Sequence, residues 1–274
     1  MILKRTQTVI IRHDKGGTML QQPIGELKDL NKQTARALWE LDRSGHCGLL
    51  ILPRTRVLHR GADPLTQASD GDPRLSEQEA RYLFARAVEQ RGLQFSLETP
   101  TKEVAGKGKS SARFDLTLYS AMPEYHIHVE FKDGLGTDGE KSSEGTYEHD
   151  LKKLLKYGVE LGGFFVVLQK ANTKNLCVLK SRLREAVEKA GKDLTDSSLN
   201  KTILIGLCTL KEYPGEKEGK DRPLPGKLYQ ASLEFQSGQA TTETNRLLEG
   251  DFKRWEIFSP DACSDAAQPN LTQP

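Results

Sequence analysis

Long apolar runs are absent from this sequence. Its mean hydropathy is −0.58, and no segment approaches the roughly 20 consecutive apolar residues of a membrane-spanning helix. The first residues also lack the apolar region of a secretory signal peptide. We therefore expect a soluble, cytoplasmic protein without a membrane partner.

Cysteine is scarce and unpatterned. The four cysteines stand far apart and are expected to be reduced thiols in an intracellular protein. No His and Cys spacing indicates a zinc site, and no Walker-type phosphate loop is present. The sequence therefore gives no basis for a zinc enzyme or for nucleotide hydrolysis by this chain alone.

A strong net charge is lacking too. Forty Lys and Arg oppose 38 Asp and Glu, which leaves +2 at pH 7 with neutral His. The distribution is less even, because residues 1–60 hold eleven Lys and Arg against five Asp and Glu. This basic part is consistent with binding to a phosphate backbone, and equally with an ordinary charge fluctuation.

Two segments that are present alternate apolar and polar residues, as strands with one buried face do. In residues 113–119, Phe114, Leu116 and Leu118 are predicted to share a face, which leaves Asp115 on the other.

In residues 125–132, the apolar positions share one face and Glu130 and Lys132 point together to the opposite side. The intervening residues 120–124 are short enough for a hairpin turn. If the two strands pair, Asp115, Glu130 and Lys132 gather on one surface.

Two convergent carboxylates suit Mg²⁺, which prefers oxygen ligands. The ion would activate water and polarise a phosphate, while the ammonium of Lys132 would complement charge that grows on phosphorus. The plain alternative is a solvated surface pair of Glu130 and Lys132, which would contribute about 0.2–1 kcal/mol.

The flanking sequence supplies the context. Residues 76–92 are predicted to form a helix, with Ser76 as N-cap, Glu79 completing a capping box and Gly92 at the stop. A strand is expected over residues 93–99.

After the second alternating segment, a polar loop is expected over residues 133–148. It overlaps the start of a helix that is predicted from about 147 to 157. Residues 162–169 are almost all apolar, as in a strand buried on both faces.

Residues 76–169 therefore read helix, strand, strand with Asp, strand with Glu-x-Lys, helix, buried strand. This order and these residues resemble the PD-(D/E)xK nuclease superfamily, whose members share an αβββαβ core and mostly cut DNA, some RNA. The resemblance implies an α/β restriction-endonuclease-like fold with a mixed central sheet. Phe114 stands where the motif often has Pro, a departure that many members share.

The resemblance also implies roles for individual residues. Asp115, Glu130 and the backbone carbonyl of Phe131 would bind Mg²⁺, for which Mn²⁺ can substitute, and Lys132 would assist the attack. A further carboxylate at the start of the first helix, Glu79 or Glu77, would join the site. For Glu79, the capping box is an equally good explanation.

Three further residues are candidates for substrate binding. Asp150-x-x-Lys153-Leu resembles a pattern that follows the motif strand in several nuclease branches. Lys153 can contact phosphate or pair with Asp150 on the helix surface. Gln169 ends the buried strand, and Arg113 ends a basic loop that can contact backbone phosphate.

The rest of the chain is divided by composition. We expect a small α+β accessory domain at 1–62, with a helix over 31–41, and a linker at 63–75. The nuclease-like domain would span 76–258, and residues 259–274 would form a disordered tail.

These patterns predict a Mg²⁺-dependent nuclease, with DNA favoured over RNA, in restriction, repair or anti-phage defence. A homodimer is expected, because cutting two strands needs two sites. Two alternatives stay open: a noncatalytic nucleic-acid-binding or assembly subunit with the same fold, and a nuclease that acts only with a partner such as an ATPase or another defence-system subunit.

Overall fold

The computed structural model describes residues 20–44, 77–101, 113–121, 124–133, 142–168, 173–192, 200–210, 226–237, 239–249 and 252–259. The helices are α1 (Gln21–Ser44), α2 (Glu77–Gln90), α3 (Ser142–Tyr157), α4 (Thr173–Lys192) and α5 (Thr242–Glu249), with a 3-10 turn at Phe252–Arg254. The strands are β1 (Gln94–Pro100), β2 (Arg113–Ala121), β3 (Glu124–Asp133), β4 (Leu161–Leu168), β5 (Lys201–Thr209), β6 (Lys227–Gln236), β7 (Gln239–Ala240) and β8 (Glu256–Phe258). None of the helices in these ranges is both long and apolar enough to cross a bilayer.

The strands form one mixed sheet. Strands β1 to β7 lie side by side in chain order, and β8 pairs with β6. Among the described strands, the β3–β4 and β4–β5 pairs are parallel and the other pairs are antiparallel. The predicted α/β class with a mixed sheet is confirmed, and α2 to β4 follow the predicted order of elements.

Helices cover both faces of the sheet. Helices α1 and α2 pack on one face, and α3, α4 and α5 pack on the other. All eight residues of β4 are buried, because this strand lies between β3 and β5 in the sheet and helices cover both of its faces. The prediction of a strand buried on both faces is therefore confirmed.

Helix α2 ends where its sequence predicts. Gly92 has a φ of +70°, a left-handed conformation that glycine adopts without strain. Gly92 N donates to Glu89 O, and Leu93 N donates to Val88 O, which is the Schellman pattern. Ser76, the predicted N-cap, lies outside the described residues.

Helix α1 is longer than the predicted helix over 31–41 and begins at Gln21. Its buried residues Leu27, Leu30 and Leu38 pack in the same hydrophobic core as α2. The described part of the predicted accessory domain thus forms part of the helical layer that covers the sheet. Residues 1–19 and 45–62 of the predicted accessory domain, the linker at 63–75 and the tail after residue 259 lie outside the described residues.

The predicted loop over 133–148 is wrong at its C-terminal end, since α3 begins at Ser142. Tyr147 explains much of this difference, because its side chain is fully buried and its ring meets Phe164 edge-on at 5.9 Å. Packing against β4 thus holds the first turns of the helix in a polar stretch whose composition favours a loop.

Candidate functional site

The β2–β3 hairpin opens at Asp115. The paired register of the two strands ends at Leu116 and Val129. Beyond it, Phe131 N donates a hydrogen bond of 2.8 Å to Asp115 Oδ2 instead of to a main-chain carbonyl of β2. A strand residue directs its N–H and C=O to the same side, so the carbonyl of Phe131 faces this opening as well.

The alternation of β2 breaks at the same place. Leu116 and Leu118 pack beneath α1 and α2, but Phe114 packs on the opposite face. Its ring stacks on that of His128, with 3.9 Å between centroids and 6° between planes. The prediction that Phe114 shares a face with Leu116 and Leu118 is therefore wrong, because the regular alternation of β2 does not continue past the end of its ladder with β3 at Leu116.

Arg81 of α2 approaches the hairpin opening from the face of the sheet that α1 and α2 cover. Its guanidinium lies 2.6 Å from Glu98 Oε1 and 3.8 Å from Asp115 Oδ1. Glu98 lies between the residue pairs Leu97–Leu116 and Thr99–Phe114 of the β1–β2 register and has a φ of +52°, a strained conformation for a residue with a side chain. The residue at which the backbone of β1 takes this conformation is therefore the one that pairs with Arg81.

The two faces of β3 are as predicted. Ile127, Val129 and Phe131 pack in the core beneath α2. Glu130 and Lys132 point the other way, and both meet charged residues of α3. The hydrophobic periodicity of β3 therefore does place these two functional candidates together.

Four of these charged side chains form a continuous chain of ion pairs. Lys132 Nζ lies 2.9 Å from Asp150 Oδ2, and Lys153 Nζ lies 3.4 Å from Asp150 Oδ1 and 2.8 Å from Glu130 Oε1. Together with Asp115, these residues are called the acid–lysine cluster below. It is formed by β2, β3 and α3, the elements that meet at the hairpin opening.

The cluster holds more acid than base. Asp115, Glu130 and Asp150 contribute three carboxyl groups, and Lys132 and Lys153 contribute two ammonium groups. Arg81, which lies 3.8 Å from Asp115, is shared with Glu98 at 2.6 Å. Glu130 is only 1% exposed. Burial, with the neighbouring charges of Asp115 and Asp150, raises its pKa, and Lys153, 2.8 Å away, opposes this shift. The cluster is therefore short of positive charge at its most buried member.

Both lysines keep their charge in this setting. Burial favours the neutral amine of Lys132, but Asp150, Glu77 and Asp115 outweigh it and raise the pKa. Burial also opposes the charge of Lys153, and Glu130 and Asp150 overcome it, so that the pKa of Lys153 is raised as well. For the close pair of Glu130 and Lys153, we favour carboxylate and ammonium, since Lys153 has two acids within 3.4 Å.

The other predicted site residues lie in varied positions. Glu79 is buried in α2, while Glu77 is near enough to Lys132 to affect its pKa. Arg113 is exposed, and its carbonyl accepts a hydrogen bond of 2.7 Å from Lys153 Nζ. Gln169 lies outside the described residues.

Asp150 and Lys153 do pair, with 3.4 Å between Oδ1 and Nζ, but the predicted surface position of the pair is wrong, because the side chains are only 7% and 8% exposed. Asp150 was not predicted to hold Lys132. A signal for it exists: Asp150 lies three residues after Tyr147 and four before Leu154, which places it on the buried stripe of α3. Arg81 offered no such signal, since its role depends on the bend at Glu98.

Within the described part of the chain, no group of three or more His, Cys, Asp or Glu side chains is arranged to hold a metal ion. Comparisons of the chain with models of known families, with curated proteins and with solved structures find no match. The function must therefore be inferred from the acid–lysine cluster and the elements that form it.

Proposed function

We propose that this protein is a Mg²⁺-dependent nuclease with a restriction-endonuclease-like core of the PD-(D/E)xK type. The observation that carries the proposal is the hairpin opening, where Asp115 bonds Phe131 N and is near enough to Glu130 to raise its pKa, and Lys132 follows two residues after Glu130. The order of elements from α2 to β4 supports it. DNA as the substrate, a homodimeric state and a cytoplasmic location belong to the same proposal and rest on the resemblance and the sequence patterns.

The residues at the opening fit Mg²⁺ by their donor chemistry. Asp115, Glu130 and the carbonyl of Phe131 would hold the ion, and Mg²⁺ needs only one or two carboxylates, with water and substrate oxygens completing its shell. The excess of acid at the buried Glu130 is what a divalent cation would offset. Such an ion polarises a phosphodiester and lowers the pKa of bound water.

Lys132 supplies a fixed positive charge beside these acids. Asp150 holds its ammonium group at 2.9 Å, and the lysine side chain remains 21% exposed. Because the ammonium group has three N–H bonds, it can donate to a phosphate oxygen while it keeps its contact with Asp150. A positioned ammonium stabilises the negative charge that develops on the phosphoryl group during attack by water.

A plasmid-cleavage assay tests the proposal. Supercoiled and linear DNA are incubated with the protein in Mg²⁺, Mn²⁺ or EDTA, and the same assay is run on RNA. We expect metal-dependent cleavage that Lys132→Ala reduces by about 100-fold or more.

Lys152→Ala is the matched control, because Lys152 lies on α3 in a partly exposed pair with Glu148 at 2.6 Å. This variant should cut at the wild-type rate. Binding without cutting under every condition would contradict the proposal and favour a noncatalytic nucleic-acid-binding subunit. Cleavage only after a partner protein is added would favour a nuclease that depends on that partner.

A further inference from the structure

We infer that Lys153 is a resident counter-ion for Glu130, which it releases to the divalent cation and transfers to Asp150 when the metal binds. This inference rests on the proposed metal site, and it assigns a positioning role to a residue outside the Asp, Glu and Lys of the motif. It concerns the way in which a buried carboxylate is kept ready for a metal when none is bound.

Three oxygen atoms from three residues surround the ammonium group of Lys153. These are Glu130 Oε1 at 2.8 Å, Arg113 O at 2.7 Å and Asp150 Oδ1 at 3.4 Å. Lys153 thus bridges β2, β3 and α3 across the hairpin opening.

The position of Asp150 makes the transfer short. Its Oδ1 is already 3.4 Å from Lys153 Nζ, so a small side-chain rotation converts this contact into a close ion pair. The hydrogen bond to Arg113 O can persist, because that carbonyl belongs to the backbone of β2. Lys153 would then leave Glu130 without losing a partner for its charge.

Charge explains why such a residue is useful. Glu130 is almost completely buried, and a buried carboxylate without a partner is costly. Lys153 reduces this cost before the metal arrives, but its positive charge then competes with the incoming cation. Metal affinity is therefore lower than the acids alone would give, while Glu130 stays paired in the metal-free protein.

A purely structural role for Lys153 makes the opposite prediction. If the residue only fastens β2 to α3, its removal loosens the hairpin opening, and metal affinity falls or stays the same. If it is a competing counter-ion, its removal strengthens metal binding. The sign of the change in affinity separates the two roles.

The test is titration of metal-free protein with Mn²⁺ at one pH, followed by calorimetry and by the electron paramagnetic resonance signal of free Mn²⁺. We expect Lys153→Gln, whose amide can still donate to Arg113 O, to bind Mn²⁺ about tenfold more tightly than wild type. Lys153→Arg keeps the charge and should gain no affinity. Lys152→Gln, which removes a charge from the helix surface, is the matched control and should bind as wild type does.

Thermal unfolding gives a second readout that does not depend on activity. In EDTA, Lys153→Gln should unfold at a lower temperature than wild type, and saturating Mn²⁺ should raise its midpoint by more than it raises that of wild type. If Lys153→Gln does not fold in EDTA, folding that Mn²⁺ restores supports the inference, and failure to fold in Mn²⁺ as well overturns it.

The outcomes distinguish this inference from the proposed function. If wild type binds Mn²⁺ and Lys153→Gln binds it equally or more weakly, the counter-ion role is overturned and the metal site stands. If neither protein binds Mn²⁺, the metal site fails, and the counter-ion role fails with it.

Discussion

Two buried lysines of this protein, Lys153 and Lys201, differ in how their surroundings shift the pKa of the ammonium group. Lys153 and Lys201 are 8% and 6% exposed, and each donates to a backbone carbonyl at 2.7 Å. Their pKa values nevertheless shift in opposite directions. Burial lowers the pKa of Lys201 to about 8, while Glu130 and Asp150 outweigh burial and raise the pKa of Lys153.

The difference lies in the neighbours. Lys201 Nζ bonds Gly158 O at the C-terminus of α3, where a positive charge complements the helix dipole. Among the described residues, burial is the cause of its pKa shift, whereas Glu130, Asp150 and Asp115 all raise the pKa of Lys153. Lys201 thus caps α3, while Lys153 belongs to the acid–lysine cluster.

The largest expected effect comes from breaking the pair of Lys153 with Glu130. Lys153→Met should lower the free energy of unfolding by about 4 kcal/mol in EDTA at pH 7, because it leaves a buried carboxyl group without its counter-ion. Urea unfolding measures the change. Adding Glu130→Gln to this variant should recover most of the loss, and a loss below about 1 kcal/mol would show that the pair is not effectively buried.

A smaller effect, of opposite sign, is expected at Lys201. Its folded-state pKa of about 8 lies below the unfolded value of 10.5, so the folded protein releases this proton first as the pH rises. Between these pH values the unfolded chain binds more protons at this residue than the folded protein does. The free energy of unfolding of wild type therefore rises with pH in this range.

Lys201→Met removes the ammonium group whose burial is unfavourable, and with it this dependence of stability on pH. At pH 7 the variant should be more stable than wild type, by at most about 3 kcal/mol, and the advantage should disappear between about pH 8 and 10.5. Urea unfolding of both proteins at several pH values measures the difference, in which other titrating groups cancel. A difference that does not change with pH would contradict the assignment.

The smallest effect is expected at the surface of α3. Lys152 and Glu148 pair at 2.6 Å, but their side chains are 31% and 25% exposed. Lys152→Met should change the free energy of unfolding by no more than about 0.5 kcal/mol, because water screens the pair. If Lys152→Met lowered the free energy of unfolding as much as Lys153→Met does, the effect of a lysine on α3 would not depend on its burial.

The sequence was most informative about β3. Alternation in that strand correctly placed Ile127, Val129 and Phe131 in the core and Glu130 and Lys132 on the opposite face. The same reasoning failed one strand earlier for Phe114. Alternation assumes a regular strand, and β2 is no longer regular where its ladder with β3 ends.

The candidate site was only partly predictable. Asp115, Glu130 and Lys132 were identified from spacing and resemblance. The buried pairing of Asp150 and Lys153 was missed, because polar residues on a helix are usually solvated. Their burial follows from the packing of Tyr147, Leu151 and Leu154 against the sheet, which carries the intervening turn of α3 onto β3.

The sequence by itself determined the order of the elements, the stop of α2 and the residues of β3 that share a face, since these follow from local periodicity and from the backbone preferences of single residues. Only the tertiary structure decided which charges lose contact with water and which partners they find. Desolvation and ion pairing at the hairpin opening depend on α2, β1 and α3 meeting there, and nothing within a single segment encodes that meeting.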